Sequence, residues 1–242
     1  MSLAQDKDGP LSLANLWQSR RGNKRWINCD GGVITCTDGC VVAAIFDGAG
    51  QSSRTAAFVT FWLQYFARAA AVLSQFTTST FDGFIQEGRR LARSMGFFSE
   101  KASYAVVVND KKTNRAWAAN CGDCRVGRHD GCVSKLDWLT PVHTAANPLG
   151  ESFDREHAAT PERHLLTRHL STRFPSTPSV VELDTATGGS WILATDGYWL
   201  EHQLLGIGLE DLEDDASLML LPSCTQDIEL TSQVTNFRTF GI

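Results

Sequence analysis

Two aspartate–glycine pairs stand where runs of apolar residues end. Asp47-Gly48 follows the run VVAAIF at 41–46, and Asp196-Gly197 follows WILAT at 191–195. A helical pattern begins after each pair, so neither has the setting of a hairpin turn between two strands, which is the ordinary role of Asp-Gly. A carboxylate at the end of a buried strand suits a hard cation, and glycine lets the backbone carbonyl approach the ion.

Two further carboxylates occupy comparable positions. Asp30 ends a predicted strand that should pair with the strand carrying Asp47, and Asp214 directly precedes a strand predicted over 217–221. Four strand ends could therefore bring carboxylates to one place. Ligation by oxygen alone favours Mg²⁺ or Mn²⁺ over zinc or copper. The other acids of the stretch fit a solvent-exposed face: Glu210, Asp211 and Glu213.

The elements that must position these residues follow from periodicity and turn residues. Strands are predicted at 26–35, 40–46, 102–108, 115–120, 126–128, 132–136, 180–183, 190–195 and 217–221. Helices are predicted at 53–76, 80–97 and 161–173, with a short helical piece after Gly197 and a loop or flap at 140–160. Strand pairs joined by tight turns indicate antiparallel sheets, and the fold class is α+β.

Length and composition restrict the class of protein. The 242 residues can bury a substantial core, and we expect one domain over 1–242 in which 1–20 and 223–242 carry no decisive pattern. The net charge of −5 argues against a general nucleic-acid binder and against a polybasic membrane-surface protein.

The cellular setting is also predicted from composition. Seven cysteines are too few for a disulfide scaffold, and the polar N-terminal residues do not form a signal peptide, so a cytoplasmic location is expected. The apolar stretch 55–73 is interrupted by Gln64 and Arg68, which favours a buried helix over a membrane span.

The motifs that contain these residues resemble, in order and spacing, those of the metal-dependent type 2C (PPM) serine/threonine protein phosphatases, particularly compact bacterial members. The resemblance covers about residues 20–222. Its motifs are R-x-x-N-x-D (25–30), F-D-G-x-G (46–50), N-C-G-D-x-R (120–125), L-T-x-x-H (139–143), A-T-D-G-x-W (194–199) and D-D-A-S (214–217).

The resemblance implies a fold and an activity. The expected fold is a central β-sandwich of two antiparallel sheets flanked by helix pairs, in four layers (αββα). The expected activity is hydrolysis of phosphomonoesters on Ser/Thr phosphoproteins, by a hydroxide held between two Mn²⁺ or Mg²⁺ ions. Segment 140–160 is the expected substrate flap. A cognate Ser/Thr kinase and its substrates are the expected partners in bacterial signalling, with neither nucleic acid nor membrane among them.

The resemblance also implies a role for each carboxylate. Asp47 would bridge both ions, the Gly48 carbonyl would bind one of them, and Asp30 would act through a bound water. The remaining implied ligands are Asp196 and Asp214, in the shell of one ion, and Asp123, for a third and weaker ion.

Arg25 matches the phosphate-binding arginine of the family. Its planar guanidinium can bind two phosphate oxygens at once, which makes it chemically suited to that role. Arg25, Asp30 and Asp47 are therefore the expected catalytic residues.

Two departures from the family pattern leave an alternative open. Ala49 stands where many members have a histidine that is a candidate general acid for the leaving alcohol. Cys29 stands where an acidic or amide residue usually supports the metal site. Both substitutions are compatible with a non-catalytic phosphatase-fold protein that binds or regulates a partner.

A second alternative rests on cysteine. Cys121 and Cys124 form a C-x-x-C pattern, which is typical of zinc or redox sites, with Cys36 and Cys40 as further thiols. The chain lacks a flanking thioredoxin-like βαβ pattern, and buried structural cysteines are the simpler interpretation. Two other motif residues are expected to be structural: His143 as a loop anchor and Arg125 as the support of the loop carrying Asp123.

Overall fold

The computed structural model describes residues 17–69, 78–129, 136–185, 189–222 and 236–241. Within these ranges the α-helices are α1 (Ser53–Ala69), α2 (Thr78–Ser94) and α3 (Arg155–Ala158). The strands are β1 (Trp17–Arg20), β2 (Asp30–Cys36), β3 (Cys40–Gly48), β4 (Lys101–Asp110), β5 (Arg115–Cys121), β6 (Arg125–His129), β7 (Leu136–Trp138), β8 (Leu170–Ser171), β9 (Ser179–Leu183), β10 (Ser190–Ala194), β11 (Ala216–Pro222) and β12 (Phe237–Gly241).

The strands form two sheets. The five-stranded sheet has the order β1-β11-β10-β6-β7, and all its pairs are antiparallel. The seven-stranded sheet has the order β12-β2-β3-β4-β5-β9, with β8 paired to β4. Its pairs are antiparallel except for β12, which lies parallel to β2. The predicted α+β class and two-sheet architecture are confirmed.

Strand β3 shows why polar and apolar residues do not alternate in the apolar runs of this chain. Val42, Ala44 and Phe46 point into a core shared with the helices, whereas Val41 and Ile45 point into the core between the two sheets. Side chains alternate between the faces of a strand, so a strand buried on both faces needs apolar residues at every position. The carboxylate of Asp47 comes next, at the edge of the sandwich.

Helices α1 and α2 cover the outer face of the seven-stranded sheet. Helix α1 contributes Phe58, Trp62 and Phe66, which are fully buried. Burial of a large apolar side chain stabilises the fold by about 2–3 kcal/mol, so this face of α1 holds the helix on the sheet. No helix among the described residues has the length and apolar character needed to cross a membrane.

The outer face of the five-stranded sheet is covered by shorter elements. An eight-residue π-helical segment, Gly197–Leu204, packs Trp199 and Leu200 against Ile192 and Ala194 of β10. Phe153, two residues before α3, and Ala158, the last residue of α3, also belong to this third core.

Some predicted elements differ from the observed ones. The helix predicted over 161–173 is wrong: only Pro161–His164 forms a 3₁₀ turn, and the chain then enters β8. The predicted flap at 140–160 contains the single turn of α3. Strands β1 and β12 were not predicted. Predicted positions 70–76 and 130–135 lie outside the described residues, although β6 and β7 do pair as a hairpin.

Candidate metal centre

Asp30 and Asp47 lie opposite one another on neighbouring strands. In the antiparallel register of β2 and β3, Asp30 pairs with Asp47 as Ile34 pairs with Ala43. Ile34 and Ala43 face the core between the sheets, so the alternation places both carboxylates on that same face. The strand predicted over 26–35 begins only at Asp30, because residues 21–29 form a loop. This later start does not change the pairing of Asp30 with Asp47, since the start of one antiparallel strand adjoins the end of its neighbour.

The five-stranded sheet supplies Asp196 and Asp214 in the same way. Asp196 follows the end of β10, and Asp214 precedes β11, to which β10 is paired antiparallel. The backbone N–H of Thr195 donates to the carbonyl of Ser217 (3.1 Å), which extends the pairing by one residue. The two sheets therefore present carboxylates at a common edge.

A turn between β5 and β6 brings Asp123 to this edge. Gly122 adopts a φ of +101°, and a Cβ at this position would lie 2.1 Å from the Ser103 hydroxyl. Glycine is therefore required on both conformational and steric grounds. Ser103 donates a 2.5 Å hydrogen bond to Asp123 Oδ1 and accepts one from the Asp123 N–H (3.2 Å).

Three carboxylates converge on one point. Oxygens of Asp47, Asp123 and Asp196 all lie within 4.8 Å of one another, and this is the one such group of three potential metal-binding side chains among the described residues. Asp30 and Asp214 lie near the group, and their charges act on Asp47. Oδ2 of Asp30 accepts a hydrogen bond from Thr195, and Oδ2 of Asp214 accepts one from Arg25. The three oxygens could bind a divalent cation, since oxygen donors at this spacing suit Mg²⁺ or Mn²⁺.

Unsatisfied buried oxygens support the fit of a cation. Asp30 Oδ1 and Asp196 Oδ1 are buried and have no hydrogen-bond partner among the described residues. Burial raises the pKa of Asp47 well above its ordinary value, and the charges of Asp196 and Asp30 raise it further. Burial likewise raises the pKa of Asp196 and of Asp123. A buried cluster of this kind needs protons or cations to compensate its charge.

Gly48 packs where a side chain would not fit. A Cβ there would lie 2.6 Å from Thr55 Cγ2 and 3.0 Å from Cys29 Cβ. Its N–H donates to the Cys29 carbonyl (3.1 Å), and its own carbonyl accepts from the Gly50 N–H (2.7 Å). The sequence predicts glycine here because its backbone carbonyl must approach an ion. Close packing against Thr55 and Cys29 is a second reason for glycine at this position.

Arg25 lies beside Asp214. Its Nη2 donates to Asp214 Oδ2, and both side chains are about one-fifth exposed. Burial opposes the charge of Arg25, but the hydrogen bond to Asp214 and the charges of Asp214, Asp47 and Asp215 outweigh it, so the pKa of Arg25 is raised. The guanidinium therefore stays charged at the edge of the acidic cluster.

Thr195 joins the two sheets at the site. Its hydroxyl donates to Asp30 Oδ2 (2.9 Å) and accepts from the Ser217 N–H (2.9 Å). Burial raises the pKa of Asp30 well above its ordinary value, and Asp215 adds to the shift, while the hydrogen bonds from Ser217 and Thr195 oppose it. Thr195 stands inside the A-T-D-G-x-W motif, but nothing in the sequence pattern distinguishes its hydroxyl as a link between the sheets.

The π-helical segment Gly197–Leu204 contacts three of the carboxylate positions. It begins directly after Asp196. Trp199 Nε1 donates to the Asp123 carbonyl (2.8 Å), and Glu201 Oε2 accepts from the Glu213 and Asp214 N–H groups (2.9 and 3.3 Å). Glu201 carried no signal in the sequence beyond its place on this segment.

Asp215 is a structural neighbour of Asp214. It is 2% exposed, and its carboxylate accepts from the Gly22 N–H (3.0 Å) and the Cys29 N–H (2.8 Å). It thereby ties the loop that carries Arg25 to the start of β11. The pattern D-D-A-S could not distinguish this role from that of Asp214.

Cys121 and Cys124 do not form a joint site. Cys121 belongs to the core beneath the helices, whereas Cys124 belongs to the core between the sheets, so the two thiols of the C-x-x-C pattern point to opposite faces. Burial raises the pKa of Cys121 to about 12 and that of Cys124 well above its ordinary value. These two thiols therefore have the properties of structural cysteines rather than of redox or zinc-binding cysteines.

His143 and Arg125 are buried beside the turn that carries Asp123. His143 Nδ1 accepts from the Gly122 N–H (3.2 Å), so the proton is on Nε2, 2.9 Å from the Ser179 hydroxyl. Arg125 lies between the indoles of Trp138 and Trp199, at 5.1 and 4.9 Å from the ring centroids, and burial lowers its pKa to about 9. Both residues support the loops around Asp123.

Comparison with known proteins gives a match at the level of structure. Neither a family model nor a curated protein sequence matches the chain. The serine/threonine phosphatase Stp1 from Staphylococcus aureus is similar with a TM-score of 0.67 and 15% identity, over 85% of this chain and 93% of its own.

Two further solved structures are similar. The PPM Ser-Thr phosphatase MsPP from Mycobacterium smegmatis, in complex with cacodylate, has a TM-score of 0.66 and 18% identity, over 85% of this chain and 96% of its own. RsbX in complex with magnesium has a TM-score of 0.53 and 12% identity, over 84% of this chain and 92% of its own. The chain has the fold of the PPM-type serine/threonine phosphatases.

Proposed function

We propose that this protein is a metal-dependent phosphatase that hydrolyses phosphoserine and phosphothreonine in proteins. The observation that carries the proposal is the convergence of three carboxylate oxygens within 4.8 Å, beside two buried oxygens that have no partner among the described residues. The cluster stands at the edge of a PPM-type fold. It is accompanied by one guanidinium, that of Arg25, at the same edge.

Each carboxylate has a proposed position relative to two Mn²⁺ or Mg²⁺ ions. Asp47 would bind both, with the Gly48 carbonyl on one of them, and Asp30 would bind through a water. The other proposed ligands are Asp196 and Asp214, with Asp123 for a third ion. When bound, a pair of divalent ions neutralises a phosphate dianion and lowers the pKa of a water between them. RsbX, whose structure contains magnesium, offers a parallel within this fold.

Arg25 would orient the phosphate group. A guanidinium can donate two parallel hydrogen bonds to phosphate oxygens, which fixes the direction of the ester bond. Asp214 accepts from Arg25 through Oδ2 and from the Asp215 N–H through Oδ1 (2.7 Å). Each oxygen keeps a second lone pair, so Asp214 can bind a cation while it holds Arg25 in place. The cacodylate in MsPP, an oxyanion similar in shape to phosphate, is consistent with an anion site in this fold.

Ala49 affects the range of esters that we expect to be hydrolysed. The residue is exposed beside Gly48 and offers no proton to a departing alkoxide. Esters whose alcohol leaves as a stable anion need no such proton. We therefore expect a larger advantage of p-nitrophenyl phosphate over a phosphothreonine peptide than in a member with histidine at this position.

The test is Mn²⁺-dependent hydrolysis of p-nitrophenyl phosphate and of a phosphothreonine peptide, with and without a chelator. The proposal predicts turnover that EDTA abolishes and that Asp47→Asn lowers at least about 100-fold. Chelator-resistant turnover, or full activity in Asp47→Asn, would refute it. Binding of two Mn²⁺ by calorimetry without any turnover would instead support the alternative of a non-catalytic binding protein.

A further inference from the structure

The loop that carries Arg25, residues 21–26, is fixed to the five-stranded sheet. The N–H groups of Asn23 and Lys24 donate to the carbonyls of Leu212 and Glu213 (2.8 and 3.1 Å). Gly22 packs so closely that a Cβ would lie 2.3 Å from the backbone of Asp214. Several bonds to one neighbouring segment leave the loop little freedom, so its backbone has a defined position.

Trp26 is the exposed aromatic residue of this fixed loop. Its side chain is 85% exposed, although an indole usually buries a large area, and Arg21 Nη1 donates to the Trp26 carbonyl (3.2 Å). An aromatic side chain held in water on a rigid backbone is a characteristic of binding surfaces, because little conformational freedom is lost on contact.

A second exposed apolar residue lies on a neighbouring turn. The charges of Asp214, Glu201 and Arg25 all act on His164, whose pKa is lowered chiefly by burial, so the turn Pro161–His164 lies within electrostatic range of these residues. Leu165 follows this turn and is 60% exposed. One exposed apolar side chain therefore follows Arg25 in its own loop, and a second follows this turn.

We propose that Trp26 is a specificity residue that binds an apolar side chain of the phosphoprotein, close in sequence to the phosphorylated Ser or Thr. The inference rests on the proposed function, because it places the phosphate at Arg25. Neighbouring Cα atoms are about 3.8 Å apart and an extended peptide advances about 3.3 Å per residue. Alternate side chains of an extended peptide share a face, so the residue that can contact Trp26 while the phosphate contacts Arg25 is expected two positions from the phosphorylated residue.

The experiment compares three substrates in Mn²⁺. These are p-nitrophenyl phosphate, a phosphothreonine peptide with leucine two residues from the phosphothreonine, and the same peptide with glycine there. The two peptides have the same net charge, because the exposed cations Arg20, Arg21 and Lys24 near Trp26 would attract a more acidic peptide. The variants are Trp26→Ala, Trp26→Phe and, as a control, Phe240→Ala. Phe240 is 41% exposed and pairs with Thr35, far along β2 from Asp30.

Trp26→Ala should lower kcat/KM for the leucine peptide about tenfold, mainly through KM, because an aromatic contact is lost. Hydrolysis of the glycine peptide and of p-nitrophenyl phosphate should change less than about twofold. Trp26→Phe should retain most of the preference for leucine, and Phe240→Ala all of it. An equal loss on both peptides, or no loss on either, would overturn the inference.

A binding measurement separates this inference from the proposed function. Fluorescence anisotropy of the labelled leucine and glycine peptides, in the presence of Mn²⁺, needs no turnover. If the wild-type protein hydrolyses nothing, the proposed function fails, and a preference for leucine that disappears in Trp26→Ala would still support the binding role. If the wild-type protein hydrolyses both peptides and binds them equally, only the inference fails.

Discussion

Asp30 and Asp47 are paired Cα to Cα across β2 and β3, so two carboxylates face each other directly in an antiparallel sheet. Like charges in such a pair are destabilising, and burial adds to the cost, so the pKa of each group is raised well above its ordinary value. The facing carboxylates at the edge of the sandwich therefore lower the folding stability unless protons or cations compensate their charge.

Replacement of Asp47 by Asn should stabilise the metal-free protein. The substitution removes one of the facing charges, and we expect the thermal midpoint in EDTA to rise by about 3–6 °C, as about 1–2 kcal/mol does in a domain of this size. Differential scanning calorimetry with and without Mn²⁺ measures the effect. The stabilisation by Mn²⁺ should be much smaller in Asp47→Asn than in the wild-type protein.

The matched control for this prediction is Asp38→Asn, which removes the same charge from an exposed turn. It should change the thermal midpoint by less than about 1 °C relative to the wild-type protein, both in EDTA and in Mn²⁺, because surface substitutions usually have small effects. A destabilised Asp47→Asn protein that still gains fully from Mn²⁺ would contradict the assignment.

Replacement of Thr195 by Val should destabilise the fold. Valine has the same shape but removes the Thr195 donor from Asp30 Oδ2 and leaves the Ser217 N–H without its acceptor. Because two buried polar groups each lose a hydrogen bond, we expect a cost of about 2–4 kcal/mol, measured as the free energy of unfolding in urea. Thr195→Ser keeps the hydroxyl and should lose less than half as much. Equal losses in both variants would show that the methyl group matters more than the hydroxyl.

Replacement of Glu201 by Ala should weaken metal binding. Glu201 holds the backbone at Glu213 and Asp214, so its removal frees the segment that carries a proposed ligand. Loss of such a support lowers metal affinity about 10- to 100-fold. Isothermal titration with Mn²⁺ measures it independently of activity, and Glu201→Gln, which keeps an acceptor, should retain most of the affinity.

The control for Glu201 is Glu210→Ala, an exposed acid close in sequence to the same segment. It removes one negative charge without removing a hydrogen bond from its side chain to that backbone. If Glu210→Ala weakened Mn²⁺ binding as much as Glu201→Ala, general electrostatics rather than positioning would account for the result.

His143 should make the protein sensitive to mild acid. Burial, and then Arg168, lower its pKa from 6.5 to about 4. Below pH 6.5 the unfolded chain therefore binds a proton that the folded protein does not bind. The contribution of His143 to the free energy of unfolding should fall as pH drops from about 6.5 towards 4 and level off below that, whereas the raised pKa values of the buried aspartates make the opposite contribution.

Urea unfolding at a series of pH values tests this prediction against His143→Asn. Asparagine can place an acceptor near the Gly122 N–H, as the imidazole does, but it does not titrate. The free energy of unfolding of the variant, relative to that of the wild-type protein, should rise as pH falls from 6.5 to 4. An identical slope in both proteins would mean that other groups dominate this range.

Much of the fold could be predicted from the sequence because its core strands are apolar at nearly every position. The runs at 41–46 and 191–195 correspond to β3 and β10, and the two long helices begin within two residues of their predicted starts. Short or edge elements could not be predicted in this way. Strands β1 and β12 pair with partners distant in the chain, and local patterns do not encode such pairing.

The carboxylates of the candidate site were predictable for a related reason, since each adjoins a recognisable strand. Of their supporting residues, His143 and Arg125 were predicted, but those that act through long-range contacts were not. Ser103 lies on β4 opposite Asp47 and bonds to Asp123 on a different turn, a contact that depends on the three-dimensional register. Trp199 and Glu201 act through hydrogen bonds to the backbone of distant segments, which leave no trace in residue spacing.

The hydrogen bond between Thr195 and Asp30 joins residues that are 165 positions apart and belong to different sheets. The acidic cluster is therefore assembled only when both sheets have formed and packed, late in a folding reaction that first makes local contacts. Mn²⁺ has no preformed site in earlier species, so it should slow unfolding without accelerating folding. On this basis the ions contribute to the lifetime of the native state and leave the rate at which it forms unchanged.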